Sequence, residues 1–143
     1  MSRVKYWTPG NYIEIGMPGN RYSYAVVTNT KLLAVLDYCG ERQLASSSVK
    51  ELDILFIISA HDYAIGKNGW PLAGKIEQDE KFNVHPNFYI EDVITGRFSI
   101  VDHNFENRVP ATKEECANLE RAASWPPKSI EQRLIEHYSA ANT

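Results

Sequence analysis

The groups in this chain that could do chemistry are four histidines, two cysteines and a scatter of carboxylates. His61 and Asp62 are adjacent, which invites an acid–base pair, because a carboxylate orients an imidazole and favours its cation. They end an apolar run, Ile54–Ala60, that reads as a buried strand. Strand neighbours point to opposite faces, so adjacency works against pairing there. A loop histidine beside a surface aspartate is the simpler expectation. His85 stands beside Pro86 and His103 beside Asp102, and their spacing fits no metal motif. A composite site of His103 with Asp102 stays open. His137 falls at the solvent edge of a C-terminal apolar stripe. Cys39 and Cys116 have no partner at ligand spacing and read as reduced thiols. Gly66-Lys67-Asn68-Gly69 lacks the spacing of a phosphate loop and reads as a turn. The chain contains no nucleophile elbow, dinucleotide-binding glycine pattern or calcium loop. The expectation is a protein that is not an enzyme and carries no cofactor or metal.

The carboxylates point elsewhere. Glu77, Asp79 and Glu80 cluster in a polar stretch, residues 77–87, while Glu91, Asp92 and Asp102 fall on a predicted hairpin. If loop and hairpin fold together, they form a negative patch that would steer a basic partner and set its register. The candidate partner-binding residues are therefore Asp62, Glu77, Asp79, Glu80, Glu91, Asp92 and Asp102. An ordinary solvated face is the alternative. Charge is uneven in the same sense. Residues 1–75 carry eight basic and six acidic side chains, residues 76–143 seven and twelve. The formal net charge of −3 argues against nucleic acid, whose binding needs clustered Lys and Arg.

These groups must be positioned by strands first and helices later. Residues 12–15 alternate apolar and polar, Pro18-Gly19-Asn20 signals a turn, and residues 22–27 and 31–37 read as two further strands of an antiparallel meander. Ser48 and Glu51 have capping-box spacing, which predicts a short helical turn over 48–53. Residues 70–76 read as an edge strand because of Pro71. Residues 88–94 and 98–102 flank Thr95-Gly96-Arg97 as a hairpin. Thr112 and Glu115 predict a helix from 112 to about 123, with Cys116, Leu119, Ala122 and Ala123 as its stripe. After Pro126-Pro127 a second helix is expected from Ser129, with Ile130, Leu134, Ile135 and Tyr138 inward. Trp125 is expected at the helix–sheet junction, Trp70 as a strand anchor, and Trp7 partly exposed.

The 143 residues suit one domain spanning 1–143. The expected fold is α+β. A mostly antiparallel, strongly twisted sheet or partial barrel of six to eight strands, over about 10–104, carries two C-terminal helices over about 112–139. The longest apolar run, residues 54–58, is too short to span a bilayer, and the first residues lack the apolar run of a signal peptide. A cytoplasmic protein without membrane contact is expected, and exposed strand edges would permit a homodimer.

The order of short runs then carries a resemblance. Gly10-Asn11-Tyr12-Ile13-Glu14-Ile15 leads into Pro18-Gly19-Asn20-Arg21-Tyr22-Ser23-Tyr24-Ala25-Val26-Val27. Trp70 precedes Leu72-Ala73-Gly74-Lys75-Ile76. Then come Glu115-Cys116, Leu119-Glu120, Trp125 and Arg133-Leu134, the most specific part. Over roughly residues 6–138 the chain resembles immunity-protein family twenty-six of bacterial polymorphic toxin systems. The resemblance implies a protein encoded beside a secreted or contact-delivered toxin, which binds the cognate toxin domain in the cytosol and protects the producing cell. It implies no catalytic residues. A nuclease toxin with a basic cleft would suit the acidic second half. Two other functions compete. One is a single-stranded nucleic-acid binder stacking bases on Tyr22 and Tyr24 or on Phe88 and Tyr89. The other is a small hydrolase using His61, Asp62 or His103.

Overall fold

A computed structural model describes residues 6–77 and 79–141 of the chain. Its elements in chain order are β1 (Asn11–Met17), β2 (Arg21–Val27), β3 (Leu33–Leu36), α1 (Ser46–Val49), β4 (Ile54–Ala60), β5 (Leu72–Lys75), β6 (Phe88–Glu91), β7 (Phe98–Val101), β8 (Arg108–Ala111), β9 (Glu120–Arg121), β10 (Ser124–Trp125) and α2 (Pro127–Ala141). The strands form a six-stranded sheet, β10-β4-β3-β2-β1-β5, and a four-stranded sheet, β8-β7-β6-β9. Pairing is antiparallel except for β10 on β4 and β9 on β6.

The near-continuous apolar runs of β2 and β3 follow from burial on both faces. On one face Ile13, Ile15, Ala25, Val27, Leu33, Val35 and Ile58 pack against Ile130 and Leu134 of α2 and against Trp7, Ile65 and Trp70. On the other, Tyr12, Tyr24, Val26, Ala34 and Leu36 pack against Val49, Ile76 and Phe82. Polar groups tie these covers down. Tyr24 Oη donates to Glu14 Oε1 (3.1 Å) and accepts from the Leu44 N–H (2.8 Å). Trp70 Nε1 donates to Glu131 Oε2 (2.8 Å) and Tyr138 Oη to Asp37 Oδ1 (2.9 Å), fastening α2 at both ends. The predicted turn at Pro18-Gly19-Asn20 forms, with Gly19 and Asn20 at φ 78° and 58°.

The small sheet has a thin core of Leu32, Phe88 and Val101, with Ile57, Ile90 and Ala122 packed on it. Residues 120–125 strap the two sheets together. They pair first beside β6, where Ala122 N–H donates to Tyr89 O (2.7 Å), and then beside β4, where His61 N–H donates to Trp125 O (3.0 Å). Arg133 locks the strap to α2. It makes two parallel bonds to the Glu120 carboxylate (2.8 and 2.7 Å) and lies 3.7 Å over the Phe56 ring and 5.2 Å from that of Trp125. The Trp125 indole N–H is buried here without an acceptor.

The structure corrects the expected architecture in several places. The class is α+β, but the strands divide into two sheets rather than one twisted sheet or partial barrel, and neither closes. One C-terminal helix replaces two. The Thr112–Glu115 capping box does form, with Thr112 N–H donating to Glu115 Oε1 (2.8 Å) and Glu115 N–H to Thr112 Oγ1 (3.1 Å). It starts only one 3-10 turn, Glu114–Cys116, before the chain extends into β9 and β10. A capping box satisfies the first turn alone, and the edges of β6 and β4 offer the next residues ladder partners. Strands thus continue past 104 to Trp125, and the helical region begins at Pro127 instead of 112. Pro127 takes the first helical turn, where its missing N–H costs nothing. α1 starts two residues before the predicted turn, overlaps it at Ser48 and Val49, and has no side-chain cap. β8 was not foreseen. Trp7 is buried rather than partly exposed. Among the described residues, no helix is long and apolar enough to cross a membrane.

Candidate partner-binding surface

The small sheet presents apolar side chains to solvent on a braced frame. Residues 92–97 join β6 to β7. Asp92 accepts the N–H groups of Ile94 (2.8 Å) and Thr95 (3.2 Å), Gly96 N–H donates to Asp92 O (2.7 Å), and Gly96 sits at φ 74°. The two backbone donors hold the Asp92 carboxyl below its ordinary range, with a minor contribution from Arg108. Inside this closed turn Val93 and Ile94 stand 92% and 90% exposed. At the other end of β7, Asp102 braces the turn to β8. It accepts from Glu106 N–H (2.9 Å) and Asn107 Nδ2 (2.7 Å), which likewise lowers its pKa. Phe105, at φ 60°, stacks on Phe88 with centroids 5.4 Å apart and remains 44% exposed.

Register places Tyr89, Ile100 and Val109 in one cross-strand row and Glu91, Phe98 and Ala111 in the next, on one face. Val109 is 56% exposed, and Tyr89, Ile100, Phe98 and Ala111 are half-buried. The opposite face carries Phe88 and Val101 into the core. Cys116 closes part of the sheet, buried with Sγ 4.0 Å from Ser99 O, and burial pushes its thiol pKa up.

The seven predicted carboxylates fall on several turns and strand ends. Asp92 and Asp102 sit at opposite ends of β7, spent on turn bracing. Glu91 is exposed at the end of β6. Glu77, Asp79 and Glu80 line a cleft of about 370 Å³ with Val27, Ile76 and Phe82. Within it, Asp79 Oδ1 caps the 3-10 turn Glu80–Phe82 through Lys81 N–H (3.0 Å), and Glu77 lies 3.9 Å from Lys50. Asp62 opens the 3-10 turn Asp62–Ala64, where its carbonyl accepts the Trp7 indole (3.0 Å). Of the seven, the Asp79, Asp92 and Asp102 carboxylates accept backbone N–H groups of their own turns.

The other candidates separate as well. His61 Nδ1 lies 3.0 Å from Tyr63 Oη, whereas the His103 ring packs on His85 at 5.0 Å. Among the described residues no three His, Cys, Asp or Glu side chains gather to hold a metal. Tyr24 and Phe88 are buried at 0% and 1% exposure and offer no face to a base. Val93, Ile94 and Val109 escaped notice in the sequence. The first two read as the end of a strand, although Asp92 four residues before Gly96 was the available sign that the turn begins earlier. Comparison with protein-family models, curated proteins and solved structures finds no match to the chain.

Proposed function

We propose that this chain is a non-catalytic protein-binding domain of the immunity type, neutralising a cognate bacterial toxin domain by stoichiometric binding in the cytosol. The observation that carries it is the β6–β7 turn, which holds two adjacent branched aliphatic side chains about nine-tenths exposed on a hydrogen-bonded frame. A rigid apolar projection gains nothing in water. It loses little entropy on entering a partner's pocket, which favours tight protein contact. The toxin as partner rests on the short sequence runs alone. Of their most specific residues, Glu120, Trp125, Arg133 and Leu134 meet where strap, sheet and α2 join. Such positions hold the scaffold and leave its surface free to differ with the partner.

The test is co-expression with the toxin domain encoded beside this gene. Rescue of growth and a one-to-one peak in size exclusion are expected. A V93D/I94D variant should keep its thermal midpoint and bind the toxin at least about tenfold more weakly. Toxicity that persists beside the folded wild-type protein would rule the function out.

A further inference from the structure

We draw no further inference here: the strongest candidate, the cleft of about 370 Å³ in which Glu77, Asp79 and Glu80 stand around Val27, Ile76 and Phe82, is an acidic cluster with no second feature to name its occupant, and nothing in the structure shows what covers it.

Discussion

The six-stranded sheet is buried on both faces, against α2 on one side and against α1, Ile76 and Phe82 on the other. The four-stranded sheet fully buries only Phe88 and Val101 of its own strands, and it holds its form through turn carboxylates, the strap and one ion pair. Apolar burial stabilises the first in proportion to area removed from water. Directional polar contacts hold the second, which frees its apolar side chains to face solvent. A packed scaffold and an apolar face open to solvent are thereby separated in one molecule.

The difference can be broken from the strong side first. L134A empties a fully buried site between α2 and the large sheet and should cost about 2–5 kcal/mol. Thermal unfolding should show one cooperative loss. Next, R133K keeps the charge but loses the paired bonds and the flat stacking on Phe56. Glu120 and Arg133 are about one-third exposed, so solvent screening limits the cost to about 1 kcal/mol. Amide exchange should quicken in 120–125 and β6 while β1–β3 stay protected.

Titration should sharpen the contrast. Burial, with Glu14 nearby, raises the Tyr24 pKa to about 12. Its neutral form is favoured in the fold, so this contribution is intact below the ordinary tyrosine range. It is lost as pH climbs from there through about 12. The large sheet should weaken over that window, with the phenolate absorbance of Tyr24 and of the similarly raised Tyr138 developing last. Asp92 and Asp102 shift downward, so their bracing is present above the ordinary aspartate range and lost as pH falls through their lowered values. Exchange at Ile94 and Glu106 should rise in acid before that of β2. The smallest expected stability effect belongs to V93D/I94D, within about 0.5 kcal/mol by denaturant titration, since neither side chain is packed. A large loss there would mean that the turn is part of the scaffold.

Much of the large sheet was legible because its signals are local. Alternation at Tyr12-Ile13-Glu14-Ile15, the apolar runs of β2–β4 and the turn at Gly19-Asn20 each act within a few residues. The helix predicted after Thr112 failed because its capping box was real, while the fate of residues 117–125 depended on two strand edges distant in sequence. The local duties of the carboxylates were hidden for a related reason. Charge counts cannot tell a carboxylate free for a partner from one already accepting N–H groups, as Asp79, Asp92 and Asp102 do.

The sequence by itself determined the strand character of residues 11–36, the amphipathic stripe of α2 and the lack of a recognisable catalytic motif, because periodicity and motif spacing are properties of the chain. Tertiary structure alone decided that there are two sheets, that Glu120 meets Arg133 and that Val93 and Ile94 face water. Those outcomes depend on which edges and faces remain after the large core has formed, and no local pattern encodes that remainder.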